Sequence, residues 1–103
     1  METFAKKRLE IIVETPVAKQ ACAVLEHRGV RAYTVMQTLR GLGEEGPWSG
    51  EGVVGAAGQM ALILAVTTEN RLDGVLDDLR VLMRRHFGYV TVTDCEVMRS
   101  DRF

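Results

Sequence analysis

The sequence predicts a single α+β domain in which two helices cover one face of a four-stranded antiparallel sheet. Three observations lead to this prediction. The length of 103 residues suits one domain, assigned here to residues 1–103. Four segments have the hydrophobic pattern of strands and two have that of helices, in the order βαββαβ. That order is typical of ferredoxin-like domains. The composition, 47% hydrophobic and 26% charged, is that of an ordinary folded protein.

The first half of the chain contains a strand, a helix and a second strand. Residues 7–14 alternate between apolar and mainly polar side chains, as a half-buried strand does. Thr15 is then expected to cap a helix that has Pro16 at its first position, and Gly29 is expected to end that helix. Residues 30–38 are rich in β-branched and aromatic side chains, which favours a second strand.

The second half repeats this arrangement. Residues 59–67 form a continuous apolar run, Thr68 is expected to cap an amphipathic helix, and Gly88 is expected to end it before a strand over residues 89–98. The third strand is apolar on both faces, although two helices can cover only one of them. We therefore expect a closed homo-oligomer that covers the second face, the alternative being a mildly apolar face left in water.

Between the second and third strands lies a long segment without a regular pattern, residues 39–58. It contains seven of the ten glycines, and no periodic element is expected at that density of glycine. Loops of this length inside compact domains are uncommon and usually functional. This segment is therefore the first candidate for a functional loop.

Several function classes do not fit the composition. A net charge of −1 is a poor match for a nucleic-acid binder, and no apolar run reaches the length that spans a bilayer. The N-terminus lacks the uncharged apolar stretch of a signal peptide, so a cytoplasmic location is expected. Cys22 and Cys95 are expected to be reduced thiols, and no His/Cys cluster suggests a metal.

Catalysis is also not expected. His27 and His86 lie near helix ends beside arginines, where the helix dipole explains them. The adjacent carboxylates, Glu44 with Glu45 and Asp77 with Asp78, lie on different helix faces or in a loop and are not suited to acid–base work. A small ferredoxin-like enzyme is kept as an alternative.

A short motif adds a resemblance to a known family. Residues 29–35 (GVRAYTV), followed by residues 40–43 (RGLG) and Gly46, resemble the signature of the PII signalling proteins, in which a strand leads into a long T-loop. The resemblance implies a homotrimer with adenine-nucleotide clefts between subunits. The nucleotide-binding residues that it implies are Thr34, Val35, Gly41, Leu42, Gly43, Gly88, Tyr89, Arg99 and Arg102.

The sequence also departs from the PII pattern. Glu44 and Glu45 replace a basic, glutamine-containing stretch, and residues 39–58 lack the tyrosine that is modified in the family. The phosphate loop is reduced to residues 87–89 and has lost its lysine. These departures argue against tight Mg-ATP binding and favour a PII-like branch that resembles the carboxysome-associated PII proteins. That resemblance implies ADP or AMP as ligand, together with bicarbonate, and a link to inorganic-carbon uptake.

The segment 39–58 has two further candidate roles. Backbone N–H groups near Arg40, Gly41, Gly43 and Gly46 can form a small anion site suited to bicarbonate. Trp48 is expected to contact a protein or transporter partner, the alternative being that it folds back on its own sheet. We therefore expect a regulatory protein that signals through this segment. The alternatives are a scaffolding homotrimer with a vestigial cleft and a nitrogen-regulatory PII homologue.

Overall fold

The computed structural model describes residues 1–43, 46–49 and 59–103. Its elements are β1 (Phe4–Glu14), a 3₁₀ turn (Thr15–Val17), α1 (Ala18–His27), β2 (Ala32–Gln37), β3 (Arg40–Gly43), β4 (Gly46–Ser49), β5 (Met60–Thr67), α2 (Glu69–Met83), β6 (Gly88–Val97) and a second 3₁₀ turn (Ser100–Arg102). Neither helix is long and apolar enough to cross a membrane.

The main sheet has the strand order β2-β5-β1-β6, and all its neighbouring strands are antiparallel. In its central rows, Ile11 of β1 lies opposite Ile63 of β5 on one side and Val90 of β6 on the other. This arrangement confirms the predicted α+β class and the ferredoxin-like order of the four sheet strands and two helices.

The hydrophobic core lies between the sheet and the two helices. Leu9, Ile11 and Ile63 from the sheet are completely buried, as are Leu25 from α1 and Val75 from α2. Each such side chain contributes about 1.5–3 kcal/mol of transfer free energy. The alternation predicted for the first strand therefore places Leu9, Ile11 and Val13 in this core.

The opposite face of the sheet is apolar in its centre and is not covered by either helix. We call this surface, formed by Ile12, Met36, Leu62, Leu64 and Val66, the open face. Ile12 lies opposite Leu62, which lies opposite Met36, so that their side chains form one row across three strands. Met36 is 36% exposed. The homo-oligomer predicted from this face stays a prediction.

Two strands of four residues each lie inside the segment that was expected to have no regular structure. β3 and β4 form a hairpin in which Gly41 lies opposite Trp48 and Gly43 opposite Gly46. The expectation that no periodic element survives there is therefore wrong for residues 40–43 and 46–49. The glycines of β3 have no side chain, and this lets the large side chain of Trp48 approach their backbone closely. Glu44, Glu45 and residues 50–58 lie outside the described residues.

Two predicted helix boundaries are also wrong. The turn after β1 begins at Thr15 itself, while the residue before it, Glu14, is extended and makes no side-chain cap. Pro16 does lie within the first turn, as predicted. The second helix ends at Met83, and the N–H groups of Arg84 and His86 after it bond to carbonyl oxygens three residues back, which tightens the turn. Gly88 instead begins β6.

Two other boundary predictions hold. Gly29 follows α1 with a φ of +81°, the left-handed conformation expected where a helix ends. Thr68 precedes α2 in an extended conformation, so it holds the N-cap position. Its hydroxyl makes no cap hydrogen bond, however, and is buried without a partner among the described residues.

Candidate functional site

A cleft of about 550 Å³ lies where the hairpin meets the ends of β1 and β6. We call it the hairpin cleft. Its walls include Gly43, Gly46 and Trp48 from the hairpin, and Gly88 and Tyr89 from the start of β6. These five residues were all selected from the sequence as candidates for ligand or partner binding. The fold therefore brings together two glycine segments that are more than 40 positions apart in the chain.

Trp48 forms one wall of the cleft by packing on the glycines of the opposite strand. A Cβ atom at Gly41 would lie 2.3 Å from Cζ2 of the indole, and one at Gly43 would lie 3.1 Å from Cζ3. The indole is half-buried, and its Nε1 is buried with no hydrogen-bond partner among the described residues. Trp48 thus packs on the opposite strand of its own hairpin.

The loop before β6 forms the opposite wall. Gly88 has a φ of +138°, and a Cβ atom there would lie 1.9 Å from the carbonyl oxygen of Ile12. Only glycine permits this approach between the loop and β1. The backbone N–H of Phe87 donates a hydrogen bond of 3.0 Å to Oε1 of Glu14. This geometry turns the loop toward the glycines of the hairpin.

Glu14 is a residue of the cleft that sequence reasoning missed. Besides accepting the Phe87 N–H, its Oε1 lies 3.6 Å from Nδ1 of His86. The ferredoxin-like order was the available signal, because in this sheet β1 and β6 are antiparallel neighbours and the end of β1 lies beside the start of β6. Glu14 is the residue at that end.

Thr34 and Val35 lie away from the hairpin cleft, in the middle of the edge strand β2. They lie opposite Leu64 and Ile63 of β5, and the Val35 side chain is 45% exposed. An exposed edge position can contact a ligand or a second chain. The described chain alone does not bring these two residues to the cleft.

A small polar cluster lies next to these strand residues. The hydroxyl of Tyr33 donates a 2.5 Å hydrogen bond to Oε2 of Glu26 on α1. This bond, with a smaller contribution from desolvation, raises the pKa of Tyr33 to about 12. Burial raises the pKa of the neighbouring Cys22 thiol. The thiol is thus held in its protonated, poorly nucleophilic form.

The two C-terminal arginines lie at the far end of the sheet from the cleft. β6 has ten residues, so Gly88 and Val97 are about 30 Å apart along the strand. Arg99 and Arg102 follow that far end, and their guanidinium groups lie 3.3 Å and 4.0 Å from Oδ2 of Asp101. One chain therefore does not bring these arginines together with the glycines of the cleft.

Arg71 of α2 holds the C-terminal turn in position. Its Nη1 donates a 2.7 Å hydrogen bond to the main-chain carbonyl oxygen of Phe103. Its Nε lies 3.1 Å from where a Cβ atom of Gly29 would be. The last turn is thereby placed near Gly29, which precedes β2.

The remaining candidates lie on the outer surface of the hairpin. Arg40 and Leu42 are exposed, Leu42 by 76%, and the neighbouring Leu39 by 71%. The described residues contain no group of three or more His, Cys, Asp or Glu side chains that could hold a metal ion.

Comparisons with known proteins extend the geometry. Residues 6–102 match the family described as nitrogen regulatory protein P-II. CPII, a nitrogen regulatory PII-like protein from Thiomonas intermedia K12 whose structure is bound to ADP, AMP and bicarbonate, is 28% identical. That match covers 99% of this chain and 96% of CPII, with a TM-score of 0.92.

Two further structures and one negative result complete the comparison. CPII bound to ADP, AMP and acetate is 26% identical over 100% of this chain and 98% of that one, with a TM-score of 0.81. A putative PII-like signalling protein from Thermus thermophilus, 20% identical over 100% and 99% of the two chains with a TM-score of 0.85, shares the fold. No curated protein sequence matches.

Proposed function

Since the chain belongs to the nitrogen regulatory P-II family, we propose that it is a PII-like regulatory protein that binds ADP or AMP. In this proposal the nucleotide lies in clefts between the subunits of a homotrimer, and bicarbonate binds with it. The protein has no catalytic role. It signals inorganic-carbon and energy status through residues 39–58, and it acts in the cytoplasm as a single domain over residues 1–103.

The observation that carries this proposal is the meeting of the two glycine segments in the hairpin cleft. Gly43 and Gly46 lie on one wall, and Gly88 lies on the other. Without Cβ atoms, these positions let backbone N–H groups approach phosphate or bicarbonate oxygens closely. In the proposal, Gly41, Leu42, Gly43, Gly88 and Tyr89 contact the nucleotide, and Arg40, Gly41, Gly43 and Gly46 surround the smaller anion.

The position of the arginines supports a site shared between subunits. Arg99 and Arg102 follow Val97, which lies about 30 Å from Gly88 along β6, so they serve the cleft of a neighbouring copy. In the proposal, Thr34 and Val35, on the strand that leads into the hairpin, form the floor of the intersubunit cleft together with the loop base. Contact between copies would also cover the open face.

The choice of ligand draws support from the CPII structures. CPII, similar over nearly the whole chain, was observed with ADP, AMP and bicarbonate. The shortened phosphate loop, residues 87–89, has no lysine and so lacks a charged partner for a third phosphate. These features favour a di- or monophosphate and the carboxysome-associated branch. Trp48, Leu39 and Leu42 form the proposed contact with a protein or transporter partner.

Thermal unfolding with added ligands tests the proposal. ADP or AMP should raise the melting temperature, and bicarbonate should raise it further, since a ligand at 100 times its Kd adds about 2.7 kcal/mol of stability. Guanosine diphosphate is the matched control. A protein that is monomeric by analytical ultracentrifugation, or that no adenylate stabilises, would contradict the proposal, and turnover of the nucleotide would favour an enzyme.

A second candidate function is a scaffolding homotrimer with a vestigial cleft. The specific observation in its favour is that Asp101 already forms ion pairs with both C-terminal arginines. Because the three side chains are well exposed, these ion pairs are weak and a phosphate can replace the carboxylate. A stable trimer whose melting temperature does not respond to adenylates would support the scaffold instead.

A further inference from the structure

Glu14 places a negative charge at the phosphate-binding end of the hairpin cleft. Of the described residues that line this cleft, Glu14 is the one with a formal charge at neutral pH. Its side chain is 35% exposed and its Oε1 accepts the Phe87 N–H at 3.0 Å. The carboxylate therefore stands beside Gly88, where the proposed function places the phosphates.

The same carboxylate removes one of the hydrogen-bond donors that a phosphate could use. Phosphate loops bind anions through consecutive backbone N–H groups that point into one concavity. Here the N–H of Phe87, directly before Gly88, is already bonded to Glu14. The loop thus has one donor fewer for a ligand, as well as a like charge nearby.

We propose that Glu14 is a specificity-determining residue that limits the number of phosphates the site accepts. This inference rests on the proposed function. A diphosphate or monophosphate needs fewer donors and brings less charge toward the carboxylate than a triphosphate does. Two unit charges about 5 Å apart in water repel each other enough to change affinity about three- to fivefold. Glu14 therefore disfavours ATP relative to ADP by about that factor.

The test compares ADP and ATP affinity by calorimetry in the wild type and in Glu14→Gln. Glutamine keeps an oxygen that accepts the Phe87 N–H and removes the charge, so the loop keeps its conformation. The ratio of ATP affinity to ADP affinity should rise about three- to fivefold. Asp77→Asn is the control, because it changes the net charge equally at an exposed position on α2.

The outcomes separate the inference from the function on which it rests. An unchanged ratio in Glu14→Gln, or an equal rise in Asp77→Asn, overturns the role of Glu14 while ADP binding itself stands. Failure of the wild type to bind either nucleotide overturns the proposed function. If Glu14→Gln does not fold, Glu14→Ala gives the same comparison, and an unchanged ratio of ATP affinity to ADP affinity in that variant overturns the inference.

Discussion

The indole of Trp48 lies directly over the Cα atom of Gly41, on the opposite strand of the hairpin. A Cβ atom at Gly41 would lie 2.3 Å from Cζ2 and 2.7 Å from Cη2 of the ring, closer than such atoms approach in proteins. Gly41 is therefore required by the packing of Trp48, in addition to any role of its backbone in ligand binding. Since the hairpin forms one wall of the cleft, this contact sets the shape of the proposed site.

Replacing Gly41 with alanine should displace the indole and expose it to water. Trp48 is the sole tryptophan of the chain, so intrinsic fluorescence reports on this contact alone. We expect Gly41→Ala to shift the emission to longer wavelength. Gly43→Ala should cause a smaller shift, because its Cβ atom would lie 3.1 Å from the ring and a small movement of the ring relieves the contact. Identical spectra for the wild type and Gly41→Ala would contradict the packing.

A second prediction concerns the two other glycines of the cleft, Gly46 and Gly88. Both have a positive φ, +100° and +138°, which an alanine adopts at a cost of about 1–3 kcal/mol. A Cβ atom at Gly46 would meet nothing within 4 Å, whereas one at Gly88 would meet the Ile12 carbonyl at 1.9 Å. In urea unfolding, Gly88→Ala should therefore lose clearly more stability than Gly46→Ala. Equal losses would show that the loop moves freely away from β1.

The sequence predicted the main sheet and both helices because each has a strong hydrophobic period. The alternation of Leu9, Ile11 and Val13 could be read directly, and these residues are completely buried. The hairpin could not be predicted in this way. It pairs residues that a propensity scale assigns to a loop, and Trp48 packs on Gly41 and Gly43 of the opposite strand.

The candidate site was predicted in part for a similar reason. Glycine-rich segments could be recognised from their residues, but the partners of a side chain depend on register across the sheet. The place of Glu14 in the cleft could therefore not be predicted. The same holds for the close approach of Arg28 to Gly74, where a Cβ atom would lie 2.8 Å from Nη1 of the arginine. A glycine inside an amphipathic helix was the available signal for that close approach.

A third prediction concerns that arginine, which joins the two helices. Arg28, at the end of α1, donates two hydrogen bonds, of 2.7 and 3.0 Å, to the carboxylate of Asp78 on α2. These bonds hold the pKa of Asp78 below its ordinary value. Because the folded pKa is the lower one, the stabilisation is present above the ordinary carboxyl pKa and is lost as the pH falls through the lowered value.

Melting temperatures from pH 7 down to pH 2 measure this linkage. Asp78→Asn should melt below the wild type at neutral pH, and the gap should close in acid. Asp77→Asn is the control, because Asp77 makes only a 3.7 Å contact with Arg80 on the same helix. A gap that stays constant with pH would mean that Asp78 acts by packing rather than by charge.

A fourth prediction concerns Tyr33, whose pKa the hydrogen bond to Glu26 raises to about 12. Tyr33 and Tyr89 are the two tyrosines of the chain, so Tyr89→Phe leaves one phenol for spectrophotometric titration. That phenol should ionise near pH 12. Adding Glu26→Gln should lower its pKa, because the carboxylate that favours the protonated phenol is then absent. Stability from this bond persists below the ordinary tyrosine pKa and disappears as the pH rises through 12.

Titration of the unfolded chain in denaturant supplies the reference for this measurement. A phenol that ionises at the same pH in the folded and unfolded chains would contradict the Tyr33–Glu26 bond. Retention of the raised pKa in the Glu26→Gln background would instead assign the shift to desolvation, the second cause at this position.

The fifth prediction follows from the distance of about 30 Å between Gly88 and the end of β6. If the nucleotide site joins the cleft of one copy to the arginines of the next, Tyr89→Ala and Arg102→Ala disable opposite halves of it. Both side chains are exposed, so neither substitution should disturb folding. Each variant alone should bind ADP weakly at every site.

Unfolding and refolding the two variants together in equal amounts should then restore some sites. An intact site needs a copy with a wild-type cleft beside a copy with wild-type arginines, and random assembly of a ring with head-to-tail contacts provides this at about one quarter of the sites. Calorimetry should therefore find about one quarter of the wild-type number of tight ADP sites. If the mixture has no tight sites while the wild type binds ADP, both halves of the site belong to the same chain. In that case every site in the mixture carries one of the two substitutions.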